Sequence, residues 1–364
     1  MADPLRLERY ESAVAVTIRP GDVVADLGCG TGILGLMCLK AGAKRTYEID
    51  SSAMIAVAQE SFARAGWGEQ AVFLHGQAHQ VDLPERVDAV ICDQVGYFGF
   101  DYGIVESLRD ARRRLLKPSG IMIPARIRLQ LAAIDSEPCR ALADGWRATG
   151  VPAEFHWLRE YAVNTKHAVT LHRQDVLGAP ATLGEIDLHE DYPDFHSWAV
   201  QLRIERDGIL HGLAGWFECE LADGVWMTNS PLSDQAIARN QAFLPIGEAI
   251  AVHAGDVVNA TVMARPSEQL LAWQVDLPAS GHRFSHSTWR SELLTPEQLA
   301  ARNPAHAPQP SRTGRARAIV LGYCDGRRSA RAIEDAVLSE HPDLLPSADE
   351  IARFVAKVLA GDTV

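Results

Sequence analysis

No hydrophobic run in this 364-residue sequence approaches the roughly 20 residues that a membrane-spanning helix needs. Met1-Ala2-Asp3-Pro4-Leu5-Arg6 lacks a basic segment followed by an apolar one, so no secretory signal is read there. A cytoplasmic protein without a membrane partner is expected. The six cysteines, at 29, 38, 92, 139, 219 and 324, form no Cys-x-x-Cys pair, which removes the zinc-ribbon signature and fits reduced thiols. His75 and His79 lie four apart but across a strand-to-loop break, and no His-Glu-x-x-His occurs, so no metal site is expected. Basic side chains are in deficit, 35 against 47 acids for a net charge of -12, which disfavours a nucleic-acid partner, since phosphate binding relies on Lys and Arg. What remains is a globular chain, 47% hydrophobic and 23% charged, long enough for two or three domains.

The most informative stretch is Val24-Ala25-Asp26-Leu27-Gly28-Cys29-Gly30-Thr31-Gly32, an apolar run that passes an acid and enters a glycine turn. Glycine lets the backbone turn sharply and approach a ligand at the carboxyl end of a parallel strand. A helix is predicted from Ile33 to Lys40, then a strand over Thr46–Ile49 that ends at Asp50. An acid about 20 residues beyond such a turn is placed to accept hydrogen bonds from ribose hydroxyls. A nicotinamide dinucleotide site has the same outline. Here, however, the loop lacks the later small residue that brings a helix against a pyrophosphate, and Asp26 would repel phosphate. A nucleoside with a cationic or amino-acid tail fits better.

Strands and helices alternate over the first 120 or so residues, with strands at Val72–His75, Val87–Cys92 and Gly120–Pro124 and helices over 51–65 and 103–116. A doubly wound parallel sheet is predicted. Arg112-Arg113-Arg114 reads as a solvated last helical turn. From about 125 the pattern becomes short β-like runs, at 127–134, 167–171, 198–205, 212–220, 225–228, 249–253, 257–263 and 270–276. The predicted organisation is an α/β nucleotide-binding domain over 1–124, a β-rich, barrel-like substrate domain over 125–280, a linker over 281–315 and a helical module over 316–364. Arg312 to Arg317 holds three arginines in a Pro/Ser/Gly-rich stretch and reads as a linker or as a patch contacting an acidic partner.

The loop VADLGCGTG and the acid Asp50 resemble the first motif and the ribose acid of class I S-adenosylmethionine-dependent methyltransferases. Over roughly residues 3–280 the chain resembles the protein arginine methyltransferase family, which has a Rossmann-like sheet followed by a β-rich substrate domain. The matching text is Asp93-Gln94-Val95-Gly96-Tyr97-Phe98, then Asp110-Ala111-Arg112 and Leu116-Lys117-Pro118-Ser119-Gly120. The resemblance implies S-adenosylmethionine as cofactor, bound by Asp26, Gly28, Cys29, Gly30, Thr31, Gly32, Asp50, Ser51 and Asp93. It implies that Arg6, in Asp3-Pro4-Leu5-Arg6 with Tyr10, pairs with the cofactor carboxylate, and that Gln77, Ala78 and His79 contact adenine. The family holds a substrate guanidinium between two glutamates, and those positions fall on Asp93 and Tyr102, with Asp101 and Glu106 as nearby acids. Asp93, Tyr102 and Glu106 are the candidate catalytic residues. The family's Thr-His-Trp element is replaced by Ile237-Ala238-Arg239-Asn240. Asp135 to Tyr161 reads as a dimerisation arm, so a homodimer is expected.

Ala318 to Ile333, with Asp325-Gly326 and Ser329, followed by a helix from Ser347 to Leu359, resembles the helical part of small winged-helix modules like the pyrroloquinoline quinone D protein, which bind leader peptides. The module's strands would come from about 281–315. The favoured reading is methyl transfer to a nitrogen of a peptide or protein. Alternatives left open are a free amino acid or other small metabolite, a carboxylate oxygen, and a non-catalytic cofactor-binding protein.

Overall fold

In the computed structural model the described residues are 3–191, 193–301, 303 and 305–363. Met1-Ala2, read above for a targeting signal, and positions 302 and 304 of the predicted linker lie outside them, as do 192 and 364. The chain divides into two compact units, up to Glu292 and from Leu293 onward.

The first unit opens with helix α1 (Pro4–Thr17), whose start is set by Pro4 in the first turn and by Asp3, whose side chain accepts from the Arg6 amide. The parallel sheet follows: β1 (Val23–Leu27), α2 (Ile33–Lys40), β2 (Arg45–Asp50), α3 (Met54–Ala65), β3 (Ala71–His75), β4 (Val87–Cys92), α4 (Ile104–Arg114) and β5 (Leu116–Ile123). Its order is β3-β2-β1-β4-β5, all parallel. All five residues of β1 are buried, as a central strand covered on both faces requires. The order reverses between β1 and β4, and the crevice beyond their carboxyl ends is where such sheets take ligands.

The chain then becomes antiparallel: β6 (Arg126–Ile134), α5 (Glu137–Asp144), α6 (Leu158–Ala162), β7 (His167–Val169), β8 (Ala181–Asp187), β9 (His196–Arg203), β10 (Gly208–Ala222), β11 (Val225–Thr228), β12 (Gln241–Val252), β13 (Val257–Arg265), β14 (Leu270–Leu277) and β15 (His282–Ser287). One sheet runs β7-β12-β10-β6-β8 with β11 on β10, and the other runs β15-β14-β13-β9. Their inner faces share one continuous core with the parallel sheet.

Two expectations are corrected here. The predicted linker over 281–315 begins with a strand, since β15 pairs along β14 from His282↔Leu277 to Ser287↔Ala272. Its inward positions are His282, Phe284 and His286, and the two histidines hid an alternating strand behind a polar composition. The second unit holds four helices and, among the described residues, no strand: α7 (Pro296–Ala301), α8 (Arg312–Gly322), α9 (Ala330–Glu340) and α10 (Ala348–Asp362). The strands that a winged-helix module would draw from 281–315 are therefore missing there. Arg312 starts a helix capped by Ser311 rather than closing a linker, and Arg317 pairs with Asp362 at 3.0 Å. Ser329 and Ser347 cap the other two long helices, around a small core of Val320, Ile333, Val337, Ile351, Val355 and Val358.

Candidate active site

The glycine turn is fixed by the ends of β1 and β2. The Gly28 and Cys29 amides donate to the Ile49 carbonyl, and the Gly30 amide donates to Asp50 Oδ2 at 2.8 Å. Gly28, Gly30 and Gly32 all have positive φ, of 68°, 55° and 74°, a conformation that a side chain disfavours. Gly30 faces open space, whereas a Cβ on Gly32 would lie 2.6 Å from Phe62. Asp50 Oδ1 also accepts from the amide and hydroxyl of Ser52. Partial burial opposes its charge, but the Ser52 and Gly30 hydrogen bonds outweigh it and hold the carboxyl below its usual value.

Asp26 behaves otherwise. It is 1% exposed, and its Oδ2 accepts from the Gly35 amide at 3.0 Å, behind the loop. Glu48 of β2, wholly buried, fills the space that Gly35 leaves, where a Cβ would come within 1.9 Å of Glu48 Oε1. Burial pushes Asp26 up to about 7, held back by hydrogen bonds from Gly35 and Glu48. Burial and then the charge of Asp26 push Glu48 well above the carboxylate range. The two carboxyls share a proton. The expectation that Asp26 faces the cofactor is thus corrected: it braces the loop from beneath.

A crevice enclosing about 230 Å³ opens at the switch point. Of the predicted cofactor residues, the structure brings Gly28, Asp50, Ser51, Gln77, Ala78 and His79 to its lining, together with Tyr102. Cys29, Gly30, Thr31, Gly32, Arg6 and Asp93 stand outside that lining, Cys29 being buried with its thiol pushed up. Gln94 and Ser107 line the crevice and were missed by the sequence reading. Gln94 follows the apolar run of β4, and its amide lies against Gly28, where a Cβ would come within 2.3 Å. Arg114, read as a solvated residue, donates to the Ala78 and Val81 carbonyls at 2.7 and 3.0 Å and to Asp110, and so braces the turn under Gln77–His79.

On the acceptor side, β4 runs into the loop 93–101. Asp93 receives Arg6 Nη1 at 2.6 Å and Arg239 Nη2 at 3.1 Å. Burial raises its pKa, with Arg239 and Arg6 pulling it back. Arg239 also donates to the Gly96 carbonyl at 3.0 Å, and the buried Asn229 donates to the Tyr97 carbonyl at 2.9 Å, so the antiparallel sheets fasten this loop. The Tyr10 hydroxyl donates to the Cys92 carbonyl at 3.0 Å, and the Ala238 amide to Asp3 Oδ2 at 2.7 Å, which locks α1 over the same place. Asp101 is buried: its Oδ2 accepts from the Tyr97 and Phe98 amides, and its Oδ1 pairs with Lys166. The Lys166 ammonium sits 4.5 Å from the centre of the Tyr97 ring. Tyr102 is a non-glycine residue at φ 58°, exposed at the crevice rim. Glu106 lies outside the lining, half-buried and 3.7 Å from Arg109. Burial raises its pKa, Arg109 opposes and Asp194 adds to the rise.

The donor set fits a nucleoside with an amino-acid tail: a charged carboxylate for ribose, backbone and amide groups for a base, and the Arg6 guanidinium, whose Nε is buried without a hydrogen-bond partner. The sheet order, the glycine turn and the acid at the end of β2 form the arrangement that class I, S-adenosylmethionine-dependent methyltransferase domains share. Residues 24–120 match the family described as methyltransferase domain. The chain is similar to the probable protein arginine N-methyltransferase 6 of Arabidopsis thaliana, 29% identical over 280 residues that cover 74% of this chain and 62% of that protein. It thus spans about three fifths of that relative's length. Among solved structures it shares its fold with Arabidopsis thaliana protein arginine methyltransferase 10, at a TM-score of 0.68 and 22% identity over 79% of this chain and 95% of the other. The Trypanosoma brucei PRMT1 enzyme-prozyme complex with AdoHcy is similar to the same degree, at a TM-score of 0.68 and 20% identity over 78% and 94%.

Proposed function

We propose that the protein transfers the methyl group of S-adenosylmethionine to a nitrogen of a peptide or protein substrate. The observation that carries this reading is the convergence on one crevice of two parts: the glycine turn with Asp50 from the parallel sheet, and the loop 93–101 fastened by Asn229 and Arg239 from the antiparallel sheets. When bound, the cofactor supplies an electrophilic methyl on a sulfonium. The chain's residues align and desolvate. Asp50 and Ser51 hold the ribose end, Gln77, Ala78 and His79 the base, and Arg6 the carboxylate. The acceptor meets Asp93, Tyr102 and Glu106, which orient it and take up its proton, and alignment supplies most of the rate.

In this reading residues 1–124 bind the cofactor, 125–280 form the substrate domain and the helical unit helps to hold a peptide. The segment 135–161 exposes Leu142, Trp146, Phe155 and Trp157, which supports its use as a dimer contact. All six cysteines are unpaired, which supports a reducing, cytoplasmic setting. The test is mass spectrometry after incubation with methyl-labelled S-adenosylmethionine and a panel of peptides and free amino acids. A gain of one methyl on a peptide nitrogen is expected, and labelling confined to free amino acids refutes the peptide assignment. Light scattering tests the dimer.

A further inference from the structure

Asp93 and Asp101, the two acids of the loop 93–101, are already paired with cations of the chain itself. Asp93 carries two guanidiniums, Arg6 at 2.6 Å and Arg239 at 3.1 Å. Asp101 carries the Lys166 ammonium and spends its other oxygen on two backbone amides. Glu106 faces Arg109 at 3.7 Å. Asp3, Asp93 and Asp101 bring three negative charges against the three positive ones of Arg6, Arg239 and Lys166. A cofactor bearing a sulfonium, an ammonium and a carboxylate adds one more positive charge. A guanidinium acceptor reaching this loop would find Asp93 and Asp101 both engaged and would have to displace Arg239, which is held by three hydrogen bonds to Asp93 and Gly96. An anionic group meets the opposite situation. The Arg239 side chain keeps 19% of its surface exposed and has N–H donors beyond those three bonds.

Resting on the reading that this loop borders the acceptor, we propose that Arg239 sets substrate class: the site recognises an acceptor segment through a carboxylate beside the accepting atom and refuses a guanidinium. Arg239 arrives from the antiparallel sheets, 146 residues away from Asp93 in sequence. It makes the substrate domain the source of the selectivity, while the parallel sheet supplies the cofactor.

The test uses the full chain saturated with S-adenosylhomocysteine and titrated calorimetrically with propionate and with N-ethylguanidinium, for the natural protein, R239Q and R239K. The natural protein is expected to bind propionate at least tenfold more tightly than ethylguanidinium. R239Q reverses the order, and R239K, which keeps the charge but loses the planar fork, keeps the order with a smaller ratio. Ethylguanidinium binding as tightly as propionate, binding of neither probe, or a ratio unchanged in R239Q overturns the proposal. A purely structural strut would weaken both probes together and leave the ratio where it was. The S-adenosylhomocysteine titration that precedes each run separates the two readings, because its failure would remove the methyltransferase assignment and not the charge selectivity.

Discussion

Replacing Glu48 by Gln removes the proton shared beneath the glycine turn, and the consequence is a change in how stability depends on pH. Asp26 is pushed from 3.8 up to about 7, by burial first, so the folded protein retains a proton that the unfolded chain gives up near pH 4. A carboxyl whose folded pKa is raised stabilises the fold fully below its unfolded value, and that contribution is lost as pH rises through the folded value. The window here therefore runs from about pH 4 to about pH 7. At about 1.4 kcal/mol for each tenfold change in proton affinity, the whole step is about 4 kcal/mol. In the Glu48→Gln variant the new side-chain amide donates an N–H to the Asp26 carboxylate, which then stays charged and needs no proton. Urea unfolding of the natural protein and E48Q at steps from about pH 4.5 to about pH 8 is expected to show their difference moving toward E48Q as pH rises through the Asp26 window, and still moving the same way above about pH 7, where Glu48, raised well above its usual value, keeps its proton in the fold. Asp50, Asp88 and Asp144, held low by hydrogen bonds, give slopes of the opposite sign that are common to both proteins and cancel in the difference. A difference that does not vary with pH refutes the shared proton.

Gly35→Ala places a Cβ within 1.9 Å of Glu48 Oε1 and is expected to cost about 3 kcal/mol, with E48A in the same chain costing less than the sum of the two singles in urea titrations. Asp50→Ala removes the charged acceptor of the ribose end and the Gly30 tie, so S-adenosylhomocysteine affinity by calorimetry is expected to fall roughly ten- to hundredfold, the equivalent of about 1.5–3 kcal/mol. Asp93→Ala leaves the Arg6 and Arg239 guanidiniums facing each other; because these groups are 15–23% exposed, the expected loss in thermal unfolding is about 2 kcal/mol, below the roughly 3–5 kcal/mol of a fully buried pair. Methyl transfer is expected to disappear in the same variant.

The cofactor half was legible because its signals are local. The turn Gly28–Gly32, the run of β1 and the acid Asp50 lie within 28 residues, and each is demanded by backbone geometry rather than by distant partners. Asp26 misled because an acid entering a glycine turn looks the same whether it faces a ligand or the elements behind; only Gly35 and Glu48, read together across α2 and β2, distinguish the two. Arg114 misled for a similar reason, since three consecutive arginines describe a surface turn by composition while one of them reaches the carbonyls of residues 78 and 81.

The acceptor side was the least legible because its charges are balanced across the chain. Asp93 in the sequence is an unattached acid at the end of a strand. In the structure its partners come from position 6 and position 239, brought together because Asp3 both starts α1 at Arg6 and accepts the amide of Ala238. Asp101 likewise meets Lys166, 65 residues on. The charge available to a substrate is what remains after the chain's own cations have been counted. Here Arg6, Arg239 and Lys166 already engage both Asp93 and Asp101. A fold shared with an arginine methyltransferase structure at 22% identity therefore carries the architecture, while the identity of any acceptor rests on side chains that the shared fold does not dictate.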